Sequence, residues 1–201
     1  MSQKNMKFDH YWSFDTNNAD IVGGGGSIGS SVTAGGKNGN YSGSLSSFAS
    51  ASLGDFSHSN FTLSFWSRNP NTGSIVQQVG FGPNTSTDLF WFSDGGAGQS
   101  FFGQATGGSY RQRIFAASHP TNNTWFHVVC GLNGDTLFFY LNGSLVGTGA
   151  GSNWGSGWAC ALRFITGPVQ LDEIGFINKA LSASQIAGLY AGGAGKFGVN
   201  I

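Results

Sequence analysis

Apolar residues alternate with small polar ones along most of the chain. In the segment 60–68, Phe61, Leu63 and Phe65 fall on one side, and Thr62, Ser64 and Trp66 fall on the other. A period of two marks a strand with one face in a core. Strand-like apolar runs also occupy 10–14, 47–53, 74–80, 88–93, 100–105, 110–115, 125–131, 159–166 and 169–177. Over 135–148, two apolar runs flank Asn142-Gly143. That dipeptide tolerates positive φ at both turn positions, so the segment predicts a tight hairpin. Turns rich in Gly, Asn and Ser separate the runs at short intervals, which predicts an all-β, two-sheet antiparallel sandwich.

The period changes once, near the C-terminus. Ile186, Leu189 and Tyr190 lie at i, i+3 and i+4, the spacing of one helix face. Ser182 as N-cap with Gln185 three residues on makes a capping box, and Gly192-Gly193 supplies a stop. The stretch 21–44 is Gly- and Ser-rich and reads as a long loop with one strand in it. One domain over 1–191 and a Gly-rich arm over 192–201 follow.

Composition narrows the chemistry. Nine Lys and Arg balance nine Asp and Glu among 201 residues. So few cations, unclustered, argue against a nucleic-acid partner. Glycine contributes 34 residues, more than twice the usual share. Eighteen Phe, six Trp and five Tyr still supply enough apolar surface for a core. Glu173 is the single glutamate, which excludes a glutamate-pair mechanism of glycoside hydrolysis. Asp172 and Glu173, adjacent on a strand, are expected to point to opposite faces.

No run of 18 apolar residues and no apolar signal core are present, so neither a membrane partner nor export is expected. Cys130 and Cys160 read as buried free thiols of a cytosolic product. Trp125 and His127 read as structural residues of one strand, the imidazole satisfied by a backbone group. Trp66 belongs either to a second buried layer or to a concave sheet face.

Four ordered segments carry a resemblance. They are "YWSFD" (11–15) with the following "GGKNGNYSGS", "NFTLSFWSR" (60–68), "TWFHVVCGLNGDTLFFYLNGSLVGTG" (124–149) and "VQLDEIGFINKALSASQIAGLY" (169–190). Together they resemble the laminin-G-like and pentraxin-like branch of the concanavalin A-like jelly rolls. The free-standing form and the Leu-Tyr-x-Gly-Gly-x-Gly ending are similar to those of bacteriophage structural proteins.

The resemblance implies a jelly roll with a lectin-like surface and no catalytic role. The Glu-x-Asp-x-x-Glu strand of the glycan-cleaving relatives has no counterpart here. Acidic residues near Asp172 bind a cation in some relatives. A structural Ca2+ on Asp172 and Asp20 is therefore one expectation, and a buried Asp172 accepting backbone hydrogen bonds is the other.

Trp154, Trp158 and Asn153 stand in a Gly/Ser-rich loop, and Tyr110 with Arg111 stands in similar company. Aromatic faces with neighbouring amides suit sugar rings, so these five form the expected carbohydrate site; the alternative is that the tryptophans plug the end of the sandwich. The expected role is an exterior decoration, fibre or adhesin subunit of a tailed phage virion. It would be assembled in the host cytoplasm, homo-oligomeric or multicopy on other virion proteins, and able to meet a cell-surface polysaccharide. A cell-encoded carbohydrate-binding module is the alternative.

Overall fold

The structure, a computed structural model, describes residues 7–14, 23, 31–34, 36–37, 41–45, 49–55, 59–68, 76–82, 90–95, 99–106, 109–116, 123–151, 159–164 and 169–191. In chain order the strands are β1 (His10–Trp12), β2 (Ser31–Ala34), β3 (Tyr41–Leu45), β4 (Ala49–Asp55), β5 (Asn60–Arg68), β6 (Val76–Gly82) and β7 (Phe90–Gly95). There follow β8 (Gln99–Thr106), β9 (Ser109–Ala116), β10 (Phe126–Asn133), β11 (Thr136–Leu141), β12 (Ser144–Ala150), β13 (Ala159–Phe164), β14 (Val169–Ile177) and one helix, α1 (Ala183–Tyr190).

All pairings are antiparallel, in two sheets. The first runs β12-β11-β10-β5-β14-β3-β2, with β1 also paired to β14; the second runs β4-β13-β6-β7-β8-β9. This is the jelly-roll sandwich that the alternation and the resemblance imply. The segment 21–44 holds part of β3 as well as β2, one strand more than its composition signals. Its small residues have weak strand propensity, and pairing of β3 with β14 supplies the ladder that propensity does not.

Alternation in β5 separates two cores. Phe61, Leu63 and Phe65 enter the layer between the sheets, with Phe90, Phe92, Phe102, Phe126 and Phe139. Edge-on ring pairs lock the sheets across that layer, Phe61 with Phe90 at 4.7 Å and Phe65 with Phe92 at 5.4 Å between centroids. Each such pair contributes roughly 0.5–1.5 kcal/mol beyond the area it buries.

The opposite face of β5 is also covered. Trp66, Val129 and Phe138 pack there with Phe8, Tyr11, Leu181, Ile186 and Leu189. Trp66 thus belongs to a second buried layer, beneath α1.

The helix begins as its sequence predicts. Ser182 Oγ accepts from Gln185 N and Gln185 Oε1 accepts from Ser182 N. Its end departs from expectation: the left-handed residue is Ala191 (φ 44, ψ 43), whose N–H donates to Ala187 O. The chain leaves the helix one residue before the first glycine of the expected stop. Thr62 fixes the approach to the helix, donating to Lys179 O and accepting from Leu181 N. The axis therefore lies along β5, with Tyr190 near Trp66.

Candidate functional site

The carboxylates come first, because they would carry any hydrolytic chemistry. Leu171 and Ile174 both enter the inter-sheet core, three residues apart. Strict alternation forbids that spacing. A β-bulge between Asp172 and Gly175 permits it, with Glu173 in a left-handed conformation (φ 52). Asp172 and Glu173 consequently both turn away from the core, toward the outer face. The expectation of opposite faces fails, because it assumed an unbroken pleat.

Both side chains are engaged there and buried. Asp172 Oδ2 accepts from Lys37 N (2.7 Å) and Asp172 Oδ1 accepts from Glu173 N (2.9 Å). Glu173 Oε2 accepts from the Tyr11 hydroxyl. The bulge sits where the neighbours of β14 change from β3 (through Leu171) to β1 (from Ile174 on). The two acids therefore tie the first strand and the segment around Lys37 to the sheet. Asp172 thus accepts backbone N–H groups on both of its oxygens. Asp20 lies outside the described residues. No group of three potential metal-ligating side chains occurs among the described residues.

His127 is fully buried opposite Trp66, and its Nε2 lies 2.9 Å from Ser64 Oγ. This ring partner is a side-chain hydroxyl and not the expected backbone group. Burial pushes its pKa down from 6.5 to about 3, so the imidazole is neutral at ordinary pH. His127 N donates to Asn142 Oδ1 and Asn142 N donates to His127 O, each at 2.9 Å. The Asn142-Gly143 turn, with φ 49 and 74, is in this way bolted to the start of β10. Tyr190 stacks on His127 at 6.1 Å, closing the cluster. These residues build a scaffold; they present no exposed acid, base or nucleophile. Cys130 is a free, fully buried thiol, its pKa pushed up by burial.

The strand order gives the sandwich two distinct ends. At one lie the β10–β11 turn with Asp135, the close of β4, the start of β9 and the start of β13. Gly151 N donates to Asp135 O there, so the link 151–158 departs from this end. Tyr110 and Arg111, near the start of β9, stand at the same end. The described backbone thus brings the start of β9, the close of β12 and the start of β13 to one end; Asn153, Trp154 and Trp158 and the side chains of Tyr110 and Arg111 lie outside the described residues. Asp172 stands away from them, near the other end.

That other end carries a group the sequence reading missed. Arg68 closes β5, Gln170 opens β14 opposite it, and Trp125 immediately precedes β10. All three are half-buried. The Arg68 guanidinium lies 4.8 Å from the Trp125 ring centroid, and its Nε donates to Gln170 Oε1 at 2.6 Å. Arg68 Nη2 donates to the same oxygen. The three are 45 or more residues apart in sequence, so only their strand register could have joined them.

Comparison with known proteins agrees with the fold. The model of a family described as the concanavalin A-like lectin/glucanases superfamily matches residues 38–187. No curated protein matches the sequence. The botulinum neurotoxin serotype G binding domain superposes with a TM-score of 0.71 at 17% identity, over 92% of this chain and 51% of that one. The binding domain of botulinum neurotoxin DC, solved in complex with SialylT, gives 0.68 at 15% identity over 92% and 50%. The same domain with rat synaptotagmin II gives 0.69 at 16% identity over 93% and 52%. This chain spans about half the length of each, and at these identities the likeness is one of fold.

Proposed function

The chain belongs to the concanavalin A-like lectin/glucanase superfamily, and from that premise we propose that it is a non-catalytic, lectin-like binding module displayed on the exterior of a tailed-phage virion. Its task is contact with a cell-surface polysaccharide or a neighbouring protein, through aromatic residues held at one end of a rigid sandwich. The observation that carries this reading is the strand order, which directs the start of β9, the close of β12 and the start of β13 to one end. Tyr110 and Arg111 belong to the first of these, and Asn153, Trp154 and Trp158 fall between the other two in sequence.

Three further points support it. The only glutamate is buried against Tyr11, and its acidic neighbour is committed to two N–H donors. The solved neurotoxin structures that this chain superposes on are binding domains, and two of those structures contain SialylT and synaptotagmin II. A chain poor in charge and rich in Gly, Ser and Asn suits a compact particle component. Single aromatic contacts are weak, and many copies on a particle raise avidity by ~10²–10⁴-fold.

The test has two arms. Trp154→Ala with Trp158→Ala should weaken attachment to cells or immobilised polysaccharide while leaving the melting temperature and particle incorporation intact. Removal of residues 192–201 should abolish incorporation and leave the fold intact. Unfolding of the double-tryptophan variant would make those rings plugs of the sandwich. A protein absent from purified particles would end the virion assignment.

A further inference from the structure

We propose that the outer edge of β12 is a self-association surface, on which a second copy of this chain lays its own β12 antiparallel about a twofold axis. The proposal stands on the sandwich alone and needs neither a glycan nor a virion.

The four edges of the sandwich differ in how they are guarded. The first sheet ends on β12 and β2, the second on β4 and β9. An edge strand presents a row of N–H and C=O groups that another strand can pair with, and proteins block such edges with short strands, charges or bulges. β2 has only four residues. β4 closes on Asp55, and β9 carries Arg111 and Arg113. β12 runs for seven residues, Ser144–Ala150, without a charge or a proline. Its bulge lies opposite Phe139 and Tyr140 and leaves Gly147–Ala150 in regular register. Leu145, on this strand, is 53% exposed, the only exposed large apolar side chain among the described residues.

The edge is also held in place from behind. Val146 packs against the inter-sheet core. A Cβ at Gly147 would stand 3.1 Å from Ile114 Cγ2 of β9, so the two sheets meet closely here. A strand already fixed loses little freedom when another pairs with it.

The chemistry of the edge favours its own copy. A twofold contact is self-complementary: residue i meets j, and j meets i. Residues directly opposite on antiparallel strands share a face. Phe138, in the outer core, lies opposite Thr148; Leu137 and Phe139, in the inter-sheet core, lie opposite Gly149 and Gly147. Thr148 therefore lies on the outer face, and the two glycines on the inner one. Of the registers that keep these faces in step over the regular stretch, the one centred on Thr148 pairs the most residues. It sets Thr148 opposite Thr148 of the second copy, a favourable cross-strand pair, and Gly147 opposite Gly149 on either side. Each Leu145 then lies beside Gly151 of the other copy and loses its exposure. No like charges meet: Asp135, beside the close of β12, lies toward the uncharged Asn142-Gly143 turn of the other copy. A strongly charged peptide would find no opposite charge on β12 itself.

Sedimentation equilibrium of the full chain, from micromolar to millimolar concentration, tests this. The parent should pass from one to two copies as concentration rises. Thr148→Lys and Thr148→Glu each place like charges on the axis, and each should weaken association at least tenfold with an unchanged melting temperature in dilute solution. An equimolar mixture of the two should pair again, because opposite charges then face each other. Ser52→Lys, on the exposed edge of β4, should associate like the parent. Amide hydrogen exchange of residues 144–150 should slow in the parent as concentration rises.

A chain that stays monomeric at millimolar concentration overturns the proposal. So does an association that Thr148→Lys leaves intact, an equal loss from Ser52→Lys, or a Lys and Glu mixture that pairs no better than either variant alone. If a Thr148 variant loses its fold, exchange in the parent decides the matter: slowing that spares 144–150 refutes the β12 contact.

Discussion

The Tyr11 hydroxyl donates to the carboxylate of Glu173, joining the first strand of the sandwich to the last across 162 positions of sequence. The acid that suggests chemistry in the sequence is a structural clasp. Its neighbour Asp172 does the same for the segment at Lys37. The two adjacent acids together close the N-terminal part of the chain onto the sheet.

The clasp sets the first expected outcome. A buried hydrogen bond to a charged group is worth about 1.5–3 kcal/mol. Tyr11→Phe and Glu173→Gln should each lower stability by that order in chemical unfolding. The double variant should cost clearly less than the sum, because both singles remove one interaction. Additive costs would show that the two groups act independently. Sugar binding per folded molecule should be unchanged in all three.

Calcium tests the same bulge. Because both oxygens of Asp172 face N–H donors, millimolar Ca2+ should leave the melting temperature of the parent unchanged to within a degree. Asp172→Asn should lower it, by roughly 2–4 °C per kcal/mol lost. A calcium-dependent rise in the parent would instead place a cation among these oxygens.

His127 makes stability depend on acid. Its folded pKa of about 3 lies below the ordinary 6.5, owing to burial. Above pH 6.5 both folded and unfolded chains hold a neutral ring, and its full contribution is present. Between pH 6.5 and 3 the unfolded chain takes up a proton that the folded chain refuses, so stability falls as pH falls. Imidazole NMR signals of His127 should stay at the neutral position down to pH 5 in the folded protein. A midpoint near 6 for this ring would contradict its burial.

The hairpin turn separates backbone strain from packing. Gly143 and Gly134 both have left-handed φ, 74 and 59, but a Cβ at Gly143 would stand 2.8 Å from Tyr190 Cδ1, while one at Gly134 meets nothing within 4 Å. Replacement by Ala should cost about 1–2 kcal/mol of strain at each site, with a further loss at Gly143. Truncating Tyr190 to Ala should remove that excess. Equal costs at the two glycines would mean that Tyr190 yields freely.

Thiol labelling reads the core directly. Cys130 lies between Phe139 and Leu63 in the ladder and is fully buried, with its pKa raised. Peptide mapping should find it unmodified after native treatment with a maleimide and fully modified in denaturant, without any reductant. Native labelling of Cys130 would require an opening of the inter-sheet core.

Alternation, turn chemistry and the capping box are local signals, and the sequence by itself was sufficient where folding only had to satisfy them. The period of two in 60–68 assigns Phe61, Leu63 and Phe65 to one face whatever packs on it. Asn142-Gly143 turns left-handed because few other pairs can, and Ser182 with Gln185 begins a helix by bonding its own first turn. The helix end was not legible, because an alanine can adopt the left-handed cap when its N–H finds Ala187 O. Nor was the second strand in 21–44, whose ladder depends on β14. Only the tertiary structure decided which way Asp172 and Glu173 face. A bulge adds one residue to one strand, and its place is set by where β1 and β3 meet along β14. The same holds for Arg68, Trp125 and Gln170. Each looks ordinary in its own segment, and their meeting is a consequence of register between strands far apart in sequence, which no local pattern encodes.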